Sequence, residues 1–279
     1  AIESGLVKTP RVVIRDDGKV DANLRSRLYH IYMDNTVKDD INRKAEESEP
    51  LPDLIKNAYL LLGKDWQAAK DAWKKAGHKI PPVMITVANT TSTSARIKYS
   101  FDHDAFLLSV AGLDDLCTPE KTLQIDSSIL NKAEAETQPI DIEVEPVEEN
   151  GEDEEAPKEK KLTQKQQAEK LRLVVDTVGR IGQPGEQVQN VISVGMLSEG
   201  WDAKTVTHIM GLRAFSSQLL CEQVVGRGLR RTSYDVGTDG LFEPEYVNIF
   251  GVPFTFLPHE GGSDGPPPPP PPPKTRIEP

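Results

Sequence analysis

The stretch PPVMITVANTTSTSARI, from Pro81 to Ile97, decides the fold class of this chain. Its residues 83–88 are nearly all apolar, which predicts a short strand that is buried on both faces. A polar turn follows, and a helix is predicted to begin between Ser92 and Ser94. Strands that are apolar on both faces are typical of parallel sheets covered by helices. The stretch therefore predicts a layered α/β domain.

Strand and helix patterns alternate along much of the remaining chain. This alternation predicts that the sheet is mostly parallel, because each parallel neighbour needs a crossover connection. The further predicted strands cover residues 11–16, 122–128, 188–196, 205–212 and 245–252, and the predicted helices cover residues 95–110, 164–180 and 216–229.

The first 79 residues are predicted to form a mainly helical segment outside the α/β domain, which would span residues 80–258. Residues 22–47 have the composition of a charged helix. Apolar residues then recur at helical spacing from Leu54 until Gly77, where a glycine ends the pattern. Within this segment, Trp66 and Trp73 are interpreted as packing positions rather than as a binding surface.

Residues 132–162 interrupt the α/β pattern and are predicted to be a disordered acidic insertion. The chain has a net charge of −11, but nine acids and no base fall between Asp141 and Glu155. The rest of the chain is close to neutral, so its acidity does not exclude nucleic-acid binding by a local basic patch. A further hypothesis is that the insertion mimics DNA. Deleting residues 139–157 should then change the salt-dependent affinity for DNA.

Residues 259–279 contain GGSDG followed by eight prolines, Pro266 to Pro273. This composition predicts a flexible hinge joined to a stiff polyproline II spacer. A ligand for an SH3-type domain is the alternative. We expect the chain to be a fragment of a longer protein, with a further domain beyond the spacer.

Composition and spacing exclude several classes of protein. Two cysteines, Cys117 and Cys221, form no disulfide framework and indicate a reducing cytoplasm. The five histidines are scattered without metal-site spacing, and no apolar run approaches the length that spans a membrane. The Gly-Lys pairs at 18–19 and 63–64 lack the hydroxyl residue that ends a phosphate-binding loop.

The candidate catalytic residues lie in CEQVVGRGLRR, residues 221–231. On a helix, Gln223, Arg227 and Arg230 are spaced to share one face. Two guanidinium groups on that face suit a phosphate, because each offers several donors and keeps its charge. Arg231 falls outside this set and is predicted to make a salt bridge or a backbone contact. A surface patch balanced by nearby acids is the alternative.

Two glycines lie among these arginines. Gly226 and Gly228 would each cost about 1 kcal/mol in a helix interior relative to alanine. Their presence indicates a close approach of backbone or ligand, or the end of a helix.

The turn after the predicted strand 188–196 supplies Gly200 and Asp202. Ligands gather at the carboxyl ends of strands in open parallel sheets. Gly200 would allow a tight turn there, and Asp202 could hold a ribose hydroxyl or orient an arginine. An ordinary turn cap is the alternative for Asp202.

EGWDAKTV, residues 199–206, followed by QVVGRGLRR, residues 223–231, resembles motifs V and VI of superfamily 2 helicases. The stretch 81–97 resembles motif IV of the same family. The sequence of residues 193–231 is most similar to that of the helicase subunits of type III restriction enzymes and related DEAD/DEAH-like restriction proteins. The motif VI pattern Q-x-x-G-R-x-x-R is met by Gln223, Gly226, Arg227 and Arg230.

The resemblance covers residues 80–258 and implies a three-layer RecA-like domain, the second of two in such helicases. It implies that ATP and Mg²⁺ are bound mainly by the first RecA-like domain, which this chain lacks. Arg227 and Arg230 would be arginine fingers, which contribute about 10³–10⁵ in rate in well-studied NTPases. Gln223 would lie beside the γ-phosphate or the attacking water. Gly200, Asp202 and Gly226 would complete the nucleotide site.

The resemblance also implies a DNA partner, in duplex form and in a restriction context. Ser193, Met196 and the turn Asn89, Thr90 and Thr91 would contact the phosphate backbone, which positions a strand without reading its sequence. Further implied partners are a nuclease domain beyond the spacer or a methylation or specificity subunit. The alternative function is a non-catalytic module that binds nucleic acid or a partner protein.

Overall fold

The computed structural model describes residues 5–12, 31–125, 164–194, 201, 203–215, 218–238 and 240–252. Among the predicted segments, the acidic insertion and the polyproline linker lie outside these residues. Side chains are described for all of them except residues 164–168, 218 and 220, which lie in helices.

Within these ranges the chain forms strands and helices in alternation. The strands are β1 (Thr9–Val12), β2 (Val83–Ala88), β3 (Thr122–Ile125), β4 (Asn190–Val194), β5 (Val206–Leu212) and β6 (Tyr246–Phe250). The helices are α1 (Asn35–Ile41), α2 (Asp53–Lys75), α3 (Thr91–Asp102), α4 (Gln164–Asp176) and α5 (Gln218–Gly228).

The strands form a single sheet in the order β1-β6-β5-β2-β4-β3, and every described pair of neighbours runs parallel. The predicted fold class, α/β with a parallel sheet, is confirmed, and the sheet is consistent with a RecA-like domain. β2 coincides with its prediction, whereas β4, β5 and β6 are shorter than predicted.

Helices cover both faces of the sheet. On one face, α2 and α3 pack on side chains that include Met84 and Met210. On the other face, α4 and α5 pack on side chains that include Ile85 and Ile209. All six residues of β2 are buried, because successive side chains point to opposite faces and both faces are covered. The result is the three-layer arrangement that the sequence predicts.

The predicted helical segment 1–79 is not separate from the sheet. β1 lies within it and pairs with β6, so it forms one edge of the sheet. α2 lies on the sheet face through buried residues such as Leu62 and Trp66. The indole Nε1 of Trp66 donates to the carbonyl of Pro82 at 2.9 Å. The predicted boundary at residue 80 therefore does not mark the edge of a packing unit.

The helix predicted over residues 95–110 is α3 in the structure and spans Thr91–Asp102 instead. It begins earlier because the Thr90 hydroxyl caps it, accepting a hydrogen bond from the amide of Thr93 at 3.1 Å. It ends at Asp102, before Asp104, whose carboxylate accepts from the amides of Leu108 at 2.6 Å and Ser109 at 3.2 Å. These bonds hold the chain after α3 in turns, because the Asp104 carboxylate takes the place of the backbone acceptors that a continued helix would use.

Candidate nucleotide and nucleic-acid site

Helix α5 is fixed on the sheet by its apolar face. Cys221, Val224 and Val225 are buried. Burial raises the pKa of the Cys221 thiol, so this side chain packs as a small apolar group rather than as a reactive thiolate. At the end of the helix, a Cβ on Gly228 would lie 2.7 Å from Cδ1 of Ile209. The end of α5 therefore lies directly on the sheet.

The predicted phosphate-facing side chains lie along α5 and just beyond it. Gln223 and Arg230 are exposed, and Arg227 is half-buried. Gln223 and Arg227 are one turn apart in α5 and share a helix face. Because α5 ends at Gly228, the helical spacing does not extend to Arg230. The prediction that all three share one helix face is therefore wrong for Arg230, which is placed by the chain after the helix.

A hydrogen bond joins Arg230 to the turn that resembles motif V. Its Nη1 donates to the carbonyl of Trp201 at 3.1 Å. Trp201 is itself buried, and its indole Nε1 donates to the carbonyl of Val175 in α4 at 3.1 Å. Trp201 stands between Gly200 and Asp202, so the structure brings the two sequence motifs together at this point. Gly200, Asp202 and Met196 lie outside the described residues, and their roles stay predictions.

Gly226 and Gly228 differ although both lie at the end of α5. A Cβ on Gly226 would meet none of the described residues within 4 Å, whereas one on Gly228 would contact Ile209, Val206 and Val247. Gly228 is required by the packing of the helix on the sheet. Packing does not require Gly226, so the open space beside its backbone is available to a ligand.

Arg231 belongs to the fold rather than to the exposed cluster. Its guanidinium is 4% exposed and donates to the carbonyls of Ser233 at 2.9 Å and Gly5 at 3.3 Å, and also to that of Glu243. The Glu245 carboxylate lies 3.6 Å from its Nη2. The predicted salt-bridge and backbone role of Arg231 is confirmed.

The turn predicted to contact DNA bonds instead to another part of this chain. Nδ2 of Asn89 donates to the carbonyl of Ile41 and to Oδ1 of Asn42, both at 2.9 Å. Thr90 caps α3, and Thr91 is exposed. Of these three predicted contacts, Thr91 presents the most accessible side chain to a phosphate.

Ser193 is buried in β4 with 1% of its surface exposed. A phosphate cannot reach its hydroxyl in this arrangement. The prediction that the Ser193 side chain touches DNA is therefore not supported by its position, and a contact near it would have to come from the turn that follows β4.

Sequence reasoning missed the clamp formed by Arg96. This side chain is 1% exposed and lies on the inner face of α3. It donates to Oδ2 of Asp40 at 2.8 Å and to the carbonyl of Glu49 at 3.0 Å, and it also bonds the carbonyl of Pro50. The signal in the sequence is that Arg96 directly precedes Ile97 in α3, and the side chains of both residues are buried. A charge on an inner face needs a partner.

Ser92 strengthens the same connection. Its hydroxyl donates to the carbonyl of Ala45 at 2.7 Å and accepts from the amide of that residue at 3.2 Å. The Thr93 hydroxyl donates to the carbonyl of Ile41 at 2.9 Å. The polar start of α3 thus holds residues 41–50, the connection between α1 and α2, against the domain.

Neither a metal centre nor a membrane span occurs in the described ranges. No group of three or more His, Cys, Asp or Glu side chains there is arranged to hold a metal ion. None of the helices described is both long enough and apolar enough to cross a bilayer. Binding of Mg²⁺ by another domain stays a prediction.

Comparisons with known proteins find similarity to solved structures. Neither a protein-family model nor a curated protein matches the chain. Among 13 matching solved chains is one described as "ATP-dependent Type ISP restriction-modification enzyme LlaBIII bound to DNA". The match has 14% sequence identity and a TM-score of 0.37, and covers 89% of this chain and 12% of that chain. The chain thus spans a small part of the protein it is similar to, and a likeness this distant carries no functional argument.

Proposed function

We propose that this chain is the second RecA-like domain of an ATP-dependent DNA helicase or translocase, in a type III-like restriction enzyme of the cytoplasm. The observation that carries the proposal is the hydrogen bond from Arg230 to the carbonyl of Trp201. It joins the two stretches that resemble motifs V and VI, within the α/β fold that those motifs imply.

The residues at the end of α5 fit a phosphate group. Arg227 and Arg230 carry planar, permanently charged donors, and the second is exposed. The open space beside Gly226 lets a ligand approach the backbone closely. Gln223 offers both a donor and an acceptor one turn before Arg227. ATP, when held by a first RecA-like domain, would supply the phosphoryl group whose charge these side chains stabilise.

The test compares arginine variants in the full-length protein. Arg227→Ala and Arg230→Ala should each lower the DNA-stimulated rate of ATP hydrolysis by about 10³ or more. Arg172→Ala is the control, because Arg172 is exposed on the outer side of α4. Full ATPase activity in either of the first two variants would contradict the proposal.

The isolated 279-residue chain gives a second test. It should hydrolyse no measurable ATP, because the sequence lacks a phosphate-binding loop of the form G-x-x-x-x-G-K-[ST]. Steady hydrolysis by this chain alone would show that its site is complete, and the assignment as half of a site would then be wrong.

The missing phosphate-binding loop also favours the second candidate, a non-catalytic module that binds nucleic acid or a partner protein. The sequence that precedes Ala1 in the parent protein separates the two candidates. A phosphate-binding loop and an acidic Mg²⁺-binding box there would support the motor, and their absence would support the module.

A further inference from the structure

A cavity of about 720 Å³ lies on the sheet face opposite to α5, between the last turns of α2 and the amino ends of β1, β5 and β6. Its size falls within the range of about 300–1,000 Å³ that is usual for small-molecule sites. None of the residues assigned to the phosphate-facing cluster lines it. The cavity is therefore separate from the site of the proposed function.

A row of polar side chains crosses the floor of the cavity. Arg11, Asn248 and His208 are in register on three adjacent strands, β1, β6 and β5. They therefore lie side by side on one sheet face, which is apolar further along at Met210 and Phe250. Above the row, Ala69 and Ala72 of α2 and Ala76 just beyond its end line the cavity, and these small side chains leave space open.

The imidazole in this row is neutral. His208 is fully buried, and burial lowers its pKa from 6.5 to about 3. Its Nδ1 lies 2.8 Å from Oγ1 of Thr207, and its Nε2 lies 3.4 Å from Nδ2 of Asn248. One N–H of the Asn248 side-chain amide can thus be donated to His208, which orients the amide. Its second N–H and its carbonyl oxygen then remain for a ligand.

Buried cations lie behind one wall of the cavity. Lys8 is 1% exposed, and its Nζ donates to the carbonyls of Lys204 and Val206, both at 2.6 Å. Burial lowers the pKa of Lys8 to about 8, and the nearby Glu245 opposes that shift. Arg231 shares the same carboxylate. Behind this wall, two buried cations therefore share one partly buried carboxylate.

Aromatic rings stand at the mouth of the cavity. Trp73 is half-buried and its ring packs on His78 with centroids 4.6 Å apart. On the other side, the guanidinium of Arg11 lies 3.3 Å from the centroid of the Tyr246 ring. The acids at the mouth, Asp235 and Glu243, are exposed, so solvent screens their charge. Flat rings next to the exposed guanidinium of Arg11 favour a planar ligand that carries an anionic group.

We propose that this cavity binds a purine nucleoside monophosphate, with the base between Trp73 and Tyr246 and the phosphate beside the exposed guanidinium of Arg11. An asparagine amide pairs well with the N6 and N7 edge of adenine, which matches Asn248 on the floor. Aromatic side chains stack on any base, and guanidinium groups bind phosphate.

The primary measurement is the titration of the 279-residue chain with AMP, followed by calorimetry and by tryptophan fluorescence. Trp66 and Trp201 are buried, so a fluorescence change would report on Trp73. Saturable binding with a Kd below about 1 mM is expected. No saturation by AMP or GMP up to about 5 mM would overturn the proposal.

Two matched substitutions place the ligand. Ala72→Phe should weaken AMP binding at least about tenfold by filling the cavity, which corresponds to about 1.4 kcal/mol. Ala68→Phe is the control, because Ala68 is exposed on the same helix and does not line the cavity. Asn248→Leu keeps the size of the side chain and removes its hydrogen-bonding edge, so it should also weaken binding, with thermal unfolding as the check on folding.

The competing sites and ligands are separated in the same assay. Arg227→Ala should leave AMP binding unchanged, because Arg227 lies on the other side of the sheet. Loss of binding in Arg227→Ala with full binding in Ala72→Phe would place AMP at the end of α5 and overturn the proposal. Equal affinity for ribose 5-phosphate or inorganic phosphate, which lack the base, would also overturn it.

Discussion

The start of α3 and the end of α5 are both rich in polar residues, but they use them differently. At the start of α3, the side chains of Asn89, Ser92 and Arg96 bond to residues 40–50 of the same chain. At the end of α5, Gln223 and Arg230 are exposed. Both stretches resemble helicase motifs, so the motif pattern alone does not separate structural polar residues from residues that can meet a ligand. Solvent exposure separates the buried Arg96 from the exposed Gln223 and Arg230.

This comparison predicts that substitutions at the two ends affect different measurements. Substitutions at the start of α3 should lower the free energy of unfolding, since buried polar partners would be left without their bonds. Substitution of Gln223, which is exposed in α5, should leave stability nearly unchanged and act on activity in the full-length protein.

The largest effect on stability is expected for Arg96→Ala. Removing one partner of a buried ion pair costs about 3–5 kcal/mol, and this arginine also bonds the carbonyls of Glu49 and Pro50. Arg43→Ala is the matched control, because Arg43 pairs with the same Asp40 at 2.9 Å but has 42% of its side chain exposed. Denaturant unfolding should show a large loss for the first variant and no measurable loss for the second. Equal losses would contradict the assignment of Arg96 as a clamp.

His208 is expected to make stability depend on pH. The unfolded chain binds a proton on this histidine below pH 6.5, whereas the folded chain does so only near pH 3, because burial lowers the pKa. The free energy of unfolding should therefore fall as the pH falls from 6.5, by about 1.4 kcal/mol per unit and thus by about 2 kcal/mol at pH 5.

The control for this prediction is His208→Gln, which cannot take up the proton. The difference in unfolding free energy between the wild-type protein and the variant should shrink as the pH falls from 6.5 to 5. If both proteins lose the same stability over that range, other groups cause the change.

Asn89→Ala and Gln223→Ala form a direct test of the comparison. Loss of the two hydrogen bonds from Asn89 should cost about 1–2 kcal/mol, because the carbonyl of Ile41 is left without that donor. Gln223→Ala should not lower the free energy of unfolding but should reduce ATP hydrolysis by the full-length protein. Stability loss only in Gln223→Ala would reverse the roles assigned to the two helix ends.

The sequence predicted best those features that depend on local patterns. β2 is recognisable from six consecutive residues, all of which are buried. Arg231 was separated correctly from the exposed arginines because it falls outside their spacing. The class of fold follows from the repeated alternation of such patterns.

Contacts between distant segments could not be predicted in the same way. Arg96 meets Asp40, which lies 56 residues earlier, and no local pattern relates the two. β1 joins the sheet beside β6, near the other end of the chain, so the sequence order gave no sign of this pairing. The position of Arg230 depends on where α5 ends, and helix ends are the least certain part of a pattern.

The smallest expected effects come from the two glycines of α5, and they should have opposite signs. Neither has a positive φ, so alanine fits both backbones. Gly226→Ala should stabilise the protein by up to about 1 kcal/mol, because alanine favours the helix and its Cβ meets nothing within 4 Å in the part of the chain that the structure describes. Gly228→Ala should cost about 1 kcal/mol or more, because its Cβ would lie 2.7 Å from the buried Ile209 side chain. Thermal unfolding of the two variants measures both effects. If Gly226→Ala is more stable and yet lowers ATP hydrolysis in the full-length protein, the glycine is kept for ligand approach rather than for packing.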